Sequence, residues 1–202
     1  MAASAFEVPL RRLMSEFEWL REEFARSASN QGSRHSQLAC EMAVIRLYDS
    51  WARFCRELII MSAYGKTLTL GGMRLKTSLP AIKSKALVVP TLMSTFKKQV
   101  YEPDWERADK CIDAGRRLKI MNISTVSAAI GAMNSPADEI RHVRNFFAHR
   151  RKGSSANALG TGYFPNLHRP VVFKLNESTP GRGTVIDYWI RTLLAIAFAS
   201  AQ

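Results

Sequence analysis

One unbroken apolar stripe constrains this chain more than any other feature. Val44, Leu47, Tyr48, Trp51, Cys55 and Leu58 recur at three- and four-residue steps, the period at which side chains return to one face of an α-helix. The stripe predicts a long amphipathic helix from about Ser36 to Ala63, with Gly65 placed to cap its C-terminus. Upstream, Leu13, Phe17, Leu20 and Phe24 keep the same period and predict a first helix over Leu10 to Ala25. Asn30, Gly32 and Ser33 break the pattern between the two.

Beyond Gly65 the pattern weakens. Gly71, Gly72, Pro80 and Pro90 punctuate short β-favouring runs such as Thr67 to Leu70, so Lys66 to Pro90 is expected to be a loop or small hairpin. Helices are expected again over Thr91 to Val100 and over Pro103 to Leu118, with Trp105, Ala108, Ile112 and Leu118 inward. Asn122 to Met133 predicts a short helical connection. The next start is well marked: Ser135 suits the N-cap, Pro136 the first turn and Asp138 the capping-box acid, while Gly153 ends the segment. A long loop carrying basic residues, Ser154 to Gly183, is expected to follow, with an extended piece at Val171 to Leu175. A last helix starts near Thr184, with Val185, Trp189, Leu193 and Ile196 inward. The fold class is therefore all-α, and 202 residues suit a single domain over 1–202 with a full-sized core.

The three cysteines, Cys40, Cys55 and Cys111, are widely spaced and show no CxxC or Cys/His ligand pattern, which fits buried reduced thiols. The first residues lack the charged start, apolar run and cleavage site of a signal peptide. Ile186 to Ala201, the most apolar stretch, carries Asp187 and Arg191 and is too short to cross a bilayer. The expectation is a soluble cytoplasmic protein with no membrane partner and no cofactor.

Charge narrows the partners. Lys and Arg number 29 against 17 Asp and Glu, a net charge of +12. Leu58 to Tyr101 holds no acid but seven bases, Lys66, Arg74, Lys76, Lys83, Lys85, Lys97 and Lys98, and Ile140 to Asn176 is acid-free as well. Such windows suit a polyanion such as RNA, bound through phosphates with salt-sensitive affinity. Solubility alone, or docking of an acidic partner protein, would also account for them.

The second window contains the segment with chemistry in it. On a helical wheel Ile140, Val143, Phe146 and Phe147 share one arc, which should bury against the long helix. Arg141, His142, Arg144, Asn145, Ala148 and His149 share the other. Arg144 and His149 stand five residues apart, about 140° around the helix, so one copy cannot easily aim both at one phosphate oxygen. Two copies meeting about a two-fold axis could bring Arg144 of one chain to His149 of the other. Asn145 and His149, one turn apart, can face such a cleft together. A metal site is disfavoured, because His142 and His149 lie two turns apart with no carboxylate near them in sequence. A plainer reading of His149, Arg150, Arg151 and Lys152 is a favourable set of cations at a helix C-terminus.

The run from Glu139 to Arg150, with Arg144-Asn145-Phe146-Phe147-Ala148-His149 at its centre, resembles the signature of HEPN domains, in the group with an Arg-Asn-x-x-Ala-His pattern. Leu38 to Leu58, around Leu47-Tyr48-Asp49-Ser50-Trp51, resembles the long second helix of that group, and the likeness is strongest over residues 34–152. The resemblance implies a helical bundle, a homodimer and an endoribonuclease that needs no metal, with Arg144, Asn145 and His149 as the catalytic set. Arg141, His142, Arg150, Arg151 and Lys152 are the expected RNA contacts. It also implies a role in toxin-antitoxin or antiviral-defence systems, with an antitoxin or regulatory protein as a further partner. The rival expectations are a catalytically inactive RNA- or partner-binding helical module and, less favoured because no helix-turn-helix spacing surrounds the basic helix, a DNA-binding regulator.

Overall fold

A computed structural model describes residues 6–29, 33–77, 79–96, 101–132, 136–149, 152–161, 174–179 and 183–202. Among them 72% are helical and strand is nearly absent, so the fold is all-α. The helices are α1 (Glu7–Ser29), α2 (Arg34–Tyr64), α3 (Val88–Ser94), α4 (Ala108–Arg117), α5 (Ile123–Ile130), α6 (Ala137–His149), α7 (Lys152–Leu159) and α8 (Val185–Ser200). A 3₁₀ turn, Lys85–Leu87, leads into α3, and β1 (Ser178–Thr179) pairs antiparallel with β2 (Gly183–Thr184) just before α8.

The chain divides into two compact units, and α1, α2 and α8 each contribute one end to either. The first unit comprises Met1–Leu13, Trp51–Ser135 and Leu194–Gln202. Its core is filled by Trp51, Phe54, Leu58, Ile59, Leu92, Leu118 and Ile130. Gly65 ends α2 at φ +71°, its N–H bonding the Met61 carbonyl, and a Cβ there would lie 2.1 Å from the Thr77 backbone nitrogen. Glycine is required on both counts. The chain then turns back on itself through a Leu68–Arg74 bridge, with Gly72 at φ +81°, and Leu70 donates to the Ala201 carbonyl at 2.8 Å. Gly115 lets α4 and α5 close up, since a Cβ there would meet Ile123 at 2.8 Å.

The second unit comprises Met14–Ser50 and Pro136–Leu193. Phe17, Leu20 and Phe24 of α1, Val44 and Leu47 of α2, Ile140 and Val143 of α6, and Ile186 and Trp189 of α8 are all essentially excluded from solvent. Burial of such side chains contributes about 1.5–3 kcal/mol each. Ion pairs trim the rim, Arg46 to Glu16 between α2 and α1 and Arg21 to Asp187 between α1 and α8. Thr184 caps α8: its hydroxyl accepts from the Asp187 N–H at 3.1 Å and donates to the Asp187 carboxylate at 2.9 Å.

Several expected boundaries move. α3 begins at Val88, so Pro90 sits inside its first turn, where no intrahelical N–H is lost; residues 97–100 lie outside the described set. The helix expected from Pro103 begins only at Ala108, and Trp105 is buried from the irregular segment before it. The buried stripe of α4 is Cys111, Ala114 and Gly115, whereas Ala108 and Ile112 are only half-buried. Gly153 ends no helix: it lies in the first turn of α7, which occupies the start of the expected basic loop. Ser135 as N-cap, and most of the extended piece at 171–175, fall outside the described residues, while Leu175 is buried in a helical turn.

Candidate active site

α6 belongs wholly to the second unit, and its two faces divide as the wheel requires. Ala137, Ile140, Val143, Phe146 and Phe147 are buried, the two phenylalanine rings lying 5.7 Å apart. Arg141, His142, Arg144 and Asn145 are half-buried, and Ala148 and His149 are exposed. Glu139 fastens the helix from one flank, accepting a hydrogen bond from the indole N–H of Trp189 at 3.0 Å.

Each polar residue of that face is held differently. Arg141 pairs with Asp138 one turn earlier at 3.0 Å, which neutralises it in place. His142 next to it is held below the ordinary imidazole range, first by burial and then by the Arg141 guanidinium, with Asp138 opposing. A neutral imidazole is thereby favoured near neutral pH. His149 closes α6 at an exposed position, and Lys152 is exposed at the start of α7, so the charge of Lys152 belongs to a helix N-terminus and not to the end of α6. Arg150 and Arg151 lie outside the described residues.

Arg144 stands apart. Four arginines among the described residues are half-buried: Arg56, Arg107, Arg141 and Arg144. The first three each meet a carboxylate, Glu102, Asp109 and Asp138 respectively. Arg144 meets none. Its Nη1 donates to the neutral amide oxygen of Asn145 at 3.1 Å, and its guanidinium lies over the Tyr48 ring, 5.6 Å from the centroid. Its Nε–H is enclosed and has no acceptor. An enclosed polar group left unpaired costs about 1–3 kcal/mol, and more where it is charged, so the fold carries a local destabilisation at Arg144.

The structure therefore joins Arg144 with Asn145, whereas the helical spacing set Asn145 and His149 to face one cleft together. His149 points to solvent one turn further on, without a hydrogen-bond or ion-pair partner among the described residues. Tyr48 is the residue that the sequence reading left in the core. Its place on the α2 stripe gives the face it occupies but not the side chain it meets, and a phenol within an apolar stripe is the signal available. Among the described residues no three His, Cys, Asp or Glu side chains group as metal ligands would, and no helix is long and apolar enough to cross a membrane.

What the face can do chemically follows from these groups: a planar guanidinium with unsatisfied donors suits a phosphate, and an exposed imidazole can carry a proton. In comparisons with known proteins, no family model, no curated protein and no solved structure matches this chain.

Proposed function

We propose that the chain is a metal-independent endoribonuclease of the HEPN type, acting as a homodimer whose site combines Arg144 of one protomer with His149 of the other. The observation that carries this reading is Arg144: a half-buried guanidinium supplied with an aromatic face and an amide oxygen, but with no carboxylate among the described residues to balance its charge. A substrate phosphate is the anion that balances it. Along one helix His149 sits about 7.5 Å further on and about 140° around, so the second protomer is needed to bring an imidazole to the same phosphate.

In the proposed reaction an imidazole takes the proton of the ribose 2′-hydroxyl and the 2′-oxygen attacks phosphorus. The bond to the 5′-oxygen breaks, and that oxygen takes a proton as it leaves. His149 is assigned the proton transfer, and general acid–base steps of this kind contribute roughly 10²- to 10⁴-fold. Arg144 stabilises the charge that builds on the phosphorane oxygens, and Asn145 keeps the guanidinium in register. The half-buried His142 and the exposed Lys152, with Arg141, Arg150 and Arg151, are assigned to the RNA backbone.

The test is incubation of purified protein with total RNA in EDTA, beside Arg144→Ala and His149→Ala. The expected products carry 2′,3′-cyclic phosphate and 5′-hydroxyl ends, and DNA of the same sequence is left intact. Undiminished cleavage by both variants overturns the assignment. A role as a toxin or antiviral-defence effector, restrained by an antitoxin or regulatory protein, rests on the resemblance alone. Growth arrest on expression, relieved by His149→Ala, is its check. The second reading, an RNA- or partner-binding module without catalysis, draws on the position of His149 as the last residue of α6, where a cation favours the helix dipole whatever its chemistry. It predicts salt-sensitive RNA binding with no cleavage.

A further inference from the structure

In the ribonuclease reading Asn145 gives the Arg144 guanidinium one hold, and the plane in which the guanidinium lies needs a second. A guanidinium on a four-bond stem samples many rotamers, and an electrostatic stabiliser acts fully only where its donors are fixed beforehand. The other half-buried arginines among the described residues are fixed by carboxylates, as Arg56 is by Glu102. A carboxylate beside Arg144 would cancel the charge that a phosphate needs to meet. The groups that hold Arg144 are neutral instead: the Asn145 amide oxygen 3.1 Å from Nη1, and the ring of Tyr48 beneath the guanidinium. Tyr48 is itself only 8% exposed, on the part of α2 that belongs to the same unit as α6. It is thus walled in and cannot stack on a nucleobase, while its face is turned to Arg144.

We propose that Tyr48 is a positioning residue for Arg144: the ring and the Asn145 amide together hold the guanidinium plane without neutralising it, leaving the charge for a phosphate. The proposal rests on the ribonuclease reading for its consequence in catalysis, but not for the placement itself. Ring and amide act as a pair. The ring sets the plane, by cation–π attraction and stacking, and the amide sets rotation within it.

Three variants separate this from a merely structural role: Tyr48→Phe keeps the ring, Tyr48→Leu keeps apolar bulk without it, and Tyr48→Trp restores a ring if the Leu variant folds poorly. Two readouts are taken, kcat and KM on RNA in EDTA, and the side-chain ¹⁵N–¹H resonance of Arg144 Nε. The wild-type resonance is expected to be displaced by the ring current, to remain displaced in Tyr48→Phe, and to return to the position of solvent-exposed arginines in Tyr48→Leu. On RNA, Tyr48→Phe is expected to stay within about threefold of wild type, and Tyr48→Leu to lose about 10- to 100-fold in kcat with KM within about twofold. A folded Tyr48→Leu that leaves both the resonance and kcat unchanged overturns the proposal, and so does a Phe variant as impaired as the Leu variant. If wild-type protein leaves RNA intact, the ribonuclease reading fails by that result, and the resonance alone decides whether Tyr48 holds Arg144.

Discussion

Trp189 donates its indole N–H to the Glu139 carboxylate at 3.0 Å, so α8 grips α6 at the turn before Arg141 and Arg144. Trp189 is fully excluded from solvent. The contact thus sets the rotation of the helix whose polar face carries the candidate site. Trp189→Phe keeps most of the bulk and removes the donor to a charged acceptor; the expected cost is about 1–3 kcal/mol. Trp189→Ala adds a cavity and is expected to cost about 3–5 kcal/mol. Urea unfolding monitored by circular dichroism measures both, and equal stabilities for wild type and Trp189→Phe would show that the indole N–H contributes nothing.

The composite site makes a prediction that no single-chain site shares. Arg144→Ala and His149→Ala proteins are each expected to be inactive. When they are unfolded together and refolded as a mixture, random pairing makes half of the dimers mixed, and each mixed dimer holds one complete Arg144/His149 site out of two. The recovered rate is then about one quarter of wild type. A site built within one chain recovers nothing, because every protomer in the mixture lacks one of the two groups. Cleavage of a fluorescent RNA by the refolded mixture distinguishes the two cases.

His142 gives the fold a pH dependence of known sign. Burial and the Arg141 guanidinium hold it below the ordinary imidazole value of 6.5, against the pull of Asp138. As pH falls through 6.5 the unfolded chain therefore takes up this proton before the folded one does. Stability is lost over the window from 6.5 down to the lowered folded value, and this group has no effect above it. Urea midpoints at pH 7.5 and pH 5.0 are expected to draw together in His142→Asn relative to wild type. An unchanged difference would mean that His142 titrates alike in both states.

The apolar face of α6 was legible because it needs only period and burial: Ile140, Val143, Phe146 and Phe147 are where the helical wheel puts them. The long second helix was legible for the same reason, down to the Gly65 cap. What the period cannot carry is the identity of a neighbour from another element. Nothing local in the sequence says that Tyr48 lies under Arg144, or that Trp189 reaches Glu139, since both are set by packing between helices far apart in the chain. Boundaries failed where local signals conflicted. Pro103 marked a helix start that occurs at Ala108, because Glu102, Asp104 and Trp105 are engaged in side-chain and turn contacts ahead of the helix. Gly153 reads as a stop, yet at an exposed position in a first helical turn a glycine costs only about 1 kcal/mol and does not end a helix.

In the first unit Glu102 is the corresponding acid-sensitive group, with the dependence arising from a carboxylate. Its two oxygens accept from Arg56 Nε at 2.6 Å and Nη2 at 3.0 Å, and from the Trp105 indole N–H at 2.9 Å. The Arg56 bond is the largest influence and, helped by Trp105, holds the Glu102 carboxyl below its ordinary range, although burial opposes it. A carboxyl held low in the folded state contributes stability above its unfolded value of about 4.5, and that contribution disappears as pH falls through the folded value. Both partners are 40% exposed, so water screens the pair and Glu102→Gln is expected to cost only about 0.5–1 kcal/mol at pH 7. The difference from wild type should shrink as pH falls from about 4.5 through the lowered folded value, where the native carboxyl itself takes up a proton, and narrow in high salt. Urea titrations of the two proteins at pH 7 and pH 3 measure it. A gap that persists unchanged at pH 3 would assign the loss to the Trp105 contact and its packing, not to the charge on Glu102.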